Sequence, residues 1–374
     1  MHSLKIILAV ILAICLCSCS DDSGSSDSAD TTVQPTTTWT ILGTTEVGDN
    51  VSAASVKDDI AYVAAGAKGL HIIDLSDPAH LQEAGYIDPH VTDLYVADSF
   101  YDVQVSDDIA YVGGTLGCIG VCMGTTGVLW AYDITQPSSP ALLGRTEVRA
   151  FHIHLDGQVV YATGLDLQTL ELKLSVIDVT DPTNLSVRGS TDIFSETGLA
   201  GQGKVIYILR DISSDQVRLA GVDVSNPDSP FLVGETITPP LNQSFNYPGA
   251  PFAISNEAGY ICLETNEVKI IDLANPANTT SVGTCPVTSG CNDVQVSNSY
   301  MYVATDTGVW IYDISEPFNP MFIKEIPTAT AAKLITISGG IGVVITEELQ
   351  EPNEIGYSTL EGEKLSVFKV PKSE

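Results

Sequence analysis

Apolar and polar residues alternate along most of this chain in short runs, broken by Gly, Pro, Asp and Asn. Period-two alternation puts successive side chains on opposite faces of an extended backbone, so it predicts β-strands joined by turns. One line recurs: GLHIIDLSDP (69–78), VLWAYDITQP (128–137), KLSVIDVTDP (173–182), RLAGVDVSNP (218–227), EVKIIDLANP (267–276) and GVWIYDISEP (308–317). Its Asp stands at 74, 133, 178, 223, 272 and 313, and Lys369 replaces it in a seventh, degenerate copy, KLSVFKVPKS (364–373). A line that returns every 41 to 59 residues marks a repeat architecture.

Each copy carries further strand patterns. Upstream lies a pair of alternating runs, as in SVKDDIAYVAAG (55–66), QVSDDIAYVGGT (104–115), HLDGQVVYATGL (154–165) and QVSNSYMYVATD (295–306). Downstream lies one more, as in PALLGRTEV (140–148), LSVRGSTDI (185–193), PFLVGETIT (230–238) and PMFIKEIPT (320–328). Four strands in each of seven units predict an all-β fold, a seven-bladed β-propeller of four-stranded antiparallel blades. The strict repeat argues against a β-sandwich. The chain ends agree: WTILGTTEV (39–47) reads like the outermost strand PALLGRTEV with no unit before it, and the last copy has no outermost strand after it. Residues 39–47 are therefore expected to join the last blade and close the ring, which protects its edges.

The first residues read as an address. Lys5 precedes an apolar run, Ile6 to Leu16, well short of the roughly 20 residues a spanning helix needs. That is the core of a signal peptide. Leu16-Cys17-Ser18-Cys19 resembles the bacterial lipobox. The resemblance implies a signal peptide over 1–18, removed on export, and acylation of Cys19, which anchors the protein to membrane. Residues 19–38 are polar and aperiodic, a flexible tether ahead of a propeller over 39–374. Ser20 suits sorting to the outer membrane, and Ser20-Asp21-Asp22 resembles the surface-export signal of some Bacteroidetes lipoproteins.

Charge narrows the partners. Lys+Arg number 16 against 47 Asp+Glu, a formal net charge of −31. Nucleic-acid binding through phosphates needs a basic face and is excluded as an expectation, as is docking on anionic lipid through a basic patch.

The line G-L-x-I-[IV]-D-[LV]-[ST]-[DN]-P resembles the LVIVD repeat of bacterial and archaeal cell-surface proteins. Six copies keep both the Asp and the Pro; the seventh departs at Lys369 and Pro371. The resemblance spans about residues 39–370 and implies a propeller at the cell surface. It implies no established biochemical activity.

Several residues invite chemistry. The six repeated Asp sit near strand ends four residues before a Pro, where an Asx-type bond closes a turn, so they read as structural. The repeated Tyr (62, 111, 161, 207, 260 and 302) reads as packing between blades. Function is expected on the face of the variable connections, 88–101, 113–127, 239–250 and 346–363. These hold Tyr95, Phe100, Tyr101, Phe245, Tyr247 and Tyr357 among acids that include Glu347 and Glu348. At the start of the innermost strands, Asp102, His152 and Asp293 are expected at the mouth of the central channel, with His154 on the face of His152. These aromatics and channel residues form the candidate ligand set. The His-x-His pair makes a divalent cation the one candidate cofactor, against the simpler reading of polar residues beside a wet channel. Export permits disulfides. Cys118–Cys122 and Cys285–Cys291 are the expected pairs, with Cys262 buried and free.

The leading expectation is a monomeric, lipid-anchored binding or scaffold module for a glycan, peptide or protein. A metal-assisted hydrolase at the channel mouth and a purely structural surface protein are the alternatives. The hydrolase rests on fold analogy alone, because no G-x-S-x-G, H-E-x-x-H or phosphate-loop motif is present.

Overall fold

The computed structural model describes residues 39–371 except 49, 90–97, 117–125, 167–170, 194–197, 214–215, 239–251, 264–265 and 350–359. Its strands form seven four-stranded antiparallel sheets, and no α-helix occurs among the described residues. Blade 1 comprises Ala53–Lys57, Ile60–Ala64, Leu70–Asp74 and Gln82–Ile87, from the channel outward. The innermost strands of blades 2 to 7 are Ser99–Ser106, His152–Asp156, Gly198–Gln202, Phe252–Ser255, Asp293–Ser297 and Ala332–Ser338. Each of the seven apolar clusters draws on two adjacent blades. A blade therefore buries both of its faces, which is why its third strand reads as an almost continuous apolar run.

The recurrent line closes the same turn six times. Oδ1 of Asp74, Asp133, Asp178, Asp223, Asp272 and Asp313 accepts from the backbone N–H two residues on, at 2.7–2.9 Å. The residue after each Asp donates its N–H to the carbonyl of the turn between the two inner strands, as Leu75 does to Asp59 and Ile314 to Ser299. Both sets of turns thus form one uniform face. The outer-strand glycines meet this face: a Cβ on Gly43, Gly85, Gly144 or Gly189 would strike the Pro carbonyl of the next blade's turn. The repeated Tyr also works between blades. Tyr111, Tyr207 and Tyr260 donate to the carbonyls of Val179, Leu273 and Pro317, each in the following blade.

Closure is by the N-terminal strand. Ile41–Glu46 pairs antiparallel with Leu360–Lys369, from Ile41 opposite Phe368 to Glu46 opposite Lys364, with a register shift between Ile41 and Gly43. A buried ion cluster reinforces the joint. Lys333 Nζ lies 2.6 Å from both Glu347 Oε1 and Glu363 Oε1, while Glu363 Oε2 accepts from the N–H of Val51. The expected loop 346–363 is therefore shorter, since strand continues to Leu349 and resumes at Leu360. Glu347 is an ion partner in blade 7 and not a loop acid.

One disulfide expectation is corrected. Cys262 pairs with Cys291, Cα–Cα 5.3 Å, and Cys285 is the buried free thiol. Cys285 sits on the outermost strand of blade 5 and Cys262 on the second. The connection after Cys285 runs inward toward the channel, so by Cys291 it has crossed to the second strand. Two strand spacings, about 10 Å, then separate it radially from Cys285. Cys118 and Cys122 lie outside the described residues.

Candidate binding site at the channel mouth

All seven innermost strands line a central cavity of about 320 Å³. Asp102, His152 and Asp293 all reach it, together with Gln104, His154 and Gln295, and Leu199, Phe252 and Leu334 supply apolar wall. These strands begin on the side opposite the uniform turns, which places Asp102, His152 and Asp293 at the long-loop end.

Blade 2 and blade 6 build the same device. Asp102 Oδ1 accepts from Val103 N–H and its Oδ2 from Ile153 N–H of blade 3, both at 2.7 Å. Asp293 Oδ1 accepts from Val294 N–H at 2.8 Å, and its Oδ2 from Ile335 N–H of blade 7 at 2.9 Å. The inner edge of a propeller blade has no neighbouring strand, so its inward N–H groups need other acceptors. Each carboxyl bridges two such edges. Burial pushes Asp102 up to about 7 and Asp293 up to about 8, against the lowering effect of the backbone donors. The sequence placed both at the channel without revealing this clasp, since the partner N–H groups belong to the next blade.

His152 faces the same cavity, and burial depresses it to about 4, so it is neutral at neutral pH. His154 is lowered by burial too; its ring stacks on Tyr161 at 6.3 Å and lies where a Cβ on Gly201 would sit. Among the described residues no three His, Cys, Asp or Glu side chains come together as a metal-binding group.

The aromatic candidates divide. Phe100 is fully buried and packs edge-on against Trp130 at 5.2 Å, so it belongs to the core and not to a ligand surface. Its backbone also bridges to Gly66 of blade 1. Tyr101 stands at the register shift between Phe100 and Asp102, which turns it out of the core pattern. Its ring meets Phe151 at 5.4 Å, and Arg149 lies over Phe151 at 5.9 Å. No sequence pattern marks Phe151 or Arg149, because neither repeats between blades nor falls in a long loop. Tyr95, Phe245, Tyr247, Tyr357 and Cys19 lie outside the described residues.

A family model described as the LVIVD repeat matches residues 49–88, 214–238, 253–287 and 290–328. The chain carries LVIVD repeats and folds as a seven-bladed β-propeller. The matched segments fall on blades 1, 5 and 6 and the outer half of blade 4. Of the channel residues, Asp102, His152 and His154 lie outside them, while Asp293 lies inside the segment 290–328. A search of curated proteins finds no match. Among solved structures, the chain resembles one titled as the mitotic checkpoint complex, with TM-score 0.60, 13% identity, and 96% of this chain and 100% of that one covered. The structure of U3-55K is similar at TM-score 0.59, 10% identity, and 88% and 99% coverage. That of Saccharomyces cerevisiae Sqt1 is similar at TM-score 0.52, 10% identity, and 89% and 100% coverage. At these identities the likeness concerns the fold alone.

Proposed function

We propose that the protein is exported, anchored to the outer membrane through acylated Cys19, and acts as a binding or scaffold module for a glycan, peptide or protein partner. The observation that carries this reading is where the sevenfold repeat breaks. The uniform face presents the same Asp-closed turn six times and offers no unique surface. The opposite end presents His152 and two carboxyls around one cavity, with the Tyr101–Phe151 ring pair next in the chain to the lining residues Asp102 and His152, once only. Rigid aromatics beside hydrogen-bonding groups suit a sugar ring or a peptide side chain.

A glycan array probed with the full chain, followed by titration calorimetry on any ligand found, tests it. Tyr101→Ala is expected to weaken binding about tenfold, or ~1.4 kcal/mol, with the melting temperature unchanged. Asp178→Ala is expected to leave affinity intact and cost about 1 kcal/mol of stability through its turn bond. A ligand sensitive to Asp178 and indifferent to Tyr101 would put the site on the wrong face. The anchor is tested separately, by fatty-acid labelling of the chain and of Cys19→Ala.

A further inference from the structure

In blade 6 the outer rim is apolar. Met321, Phe322 and Ile323 follow one another on the outermost strand and are 66, 52 and 42% exposed. Phe318, in the turn before them, is exposed as well. Strand alternation normally buries one of two neighbours. Here the register shift opposite Ile311 and Tyr312 adds a residue to the outer strand, and three consecutive side chains reach solvent. Phe231 and Leu232 hold the matching positions in blade 4 and are also exposed. An apolar patch on so acidic a molecule marks a contact surface.

Where the chain joins the propeller says what covers it. The carbonyl of Trp39, the first described residue, is held by Lys324 Nζ at 3.2 Å, one position beyond the patch. The Trp39 ring meets Tyr300 of the same blade at 5.7 Å. The closing strand starts at the uniform-turn end, with Ile41 opposite Phe368, and Met321 opens its strand at that same end. Trp39, twenty residues after Cys19, thus sits beside Met321–Ile323.

We propose that the rim of blade 6, centred on Met321, Phe322 and Ile323, is a lipid-contact surface that seats the tethered propeller on its membrane. This rests on the anchored reading above. The formal charge of −31 disfavours anionic head groups, so the surface it fits is zwitterionic and the contact is apolar. Contact at this rim leaves the opposite, long-loop end of the channel open to a partner.

Tryptophan quenching tests it on the full acylated chain, bound to phosphatidylcholine vesicles that contain brominated lipid. Trp39 and Trp310 report on the rim, Trp310 lying 4.7 Å from Phe322, while Trp130 is fully buried in blade 2. Quenching is expected, and it should vanish in Trp39→Phe/Trp310→Phe. Met321→Ser/Phe322→Ser/Ile323→Ser should lose it while still sedimenting with the vesicles. If the triple variant melts low, Met321→Glu alone replaces it and should lose most of the quenching. Sedimentation without quenching, or quenching that survives the substitutions, would overturn the lipid contact alone. Failure to sediment with vesicles would sink the anchor as well. Dimers in detergent that dissociate on the triple substitution would assign the rim to a second copy of the chain instead.

Discussion

Cys262, Val268 and Cys285 form one row across three strands of blade 5, with Val268 opposite each cysteine. A side chain in such a row can reach its neighbour but not the strand beyond, and Cys291 arrives above Cys262. The resulting bridge closes a separation of 29 residues and joins blade 5 to the segment that leads into blade 6. Its contribution is about 3 kcal/mol by loop closure. Burial raises the remaining thiol, Cys285, to about 11, which keeps it inert. Alkylation of the folded chain should therefore spare Cys285. After alkylation of the denatured, unreduced chain, a tryptic digest should join peptides 219–269 and 270–324 with the label on Cys285, and Cys291→Ser should lower the melting temperature by several degrees. A Cys285–Cys291 peptide would contradict the register. Spacing in sequence could not choose the partner, since all three cysteines belong to one apolar cluster and only the radial path of the connection separates them.

At the scale of the element, the closing strand does most with least. It forms backbone ladder bonds to Leu360–Lys369, and its Gly43 sits against the Pro78 turn of blade 1. The segment after it is tied at Val47 and Gly48 to the backbone of Glu363, and at Val51 to its carboxylate. Deleting residues 39–47 should unpair the last blade, open the ring and lower the melting temperature sharply; deleting 20–38 should leave it unchanged. Scanning calorimetry of the two truncations decides, and equal melting would end the closure argument. This element was legible in the sequence because WTILGTTEV repeats the outermost-strand pattern. The Lys333–Glu347–Glu363 cluster that secures it was not. Its members lie on three strands, and nothing in their spacing marks them as partners.

For the whole molecule, two groups at the channel set the response to pH. Asp102 and Asp293 titrate near 7 and 8 in the fold, against an ordinary value of 3.8 in the unfolded chain. Between those limits the folded state holds protons that the unfolded state has released, so their contribution is present at low pH and is lost as pH rises through 7 to 8. His152, depressed to about 4 from 6.5, acts in the opposite sense and removes stability as pH falls below about 6.5. Two carboxyls outweigh one imidazole between pH 4 and 6.5, so the melting temperature should fall as pH rises from about 4 to 8 and level off above 8. Asp102→Asn/Asp293→Asn should flatten that fall. A melting temperature that does not fall between pH 5 and 8 would show that both carboxyls ionise freely in the fold.

The sequence by itself determined the strand order, the number of blades, the Asp-closed turns and the strand that closes the ring. Each of these is a local pattern repeated along the chain, and repetition makes it readable without a partner. Tertiary structure alone decided which cysteines join, that Phe100 serves the core while Tyr101 beside it faces outward, and that the two channel carboxyls clasp neighbouring blades. Those outcomes depend on contacts between residues from different strands or blades, such as Asp102 with Ile153 and Asp293 with Ile335. A period-two pattern tells which face of its own strand a residue occupies; what waits opposite that face is supplied by the next blade.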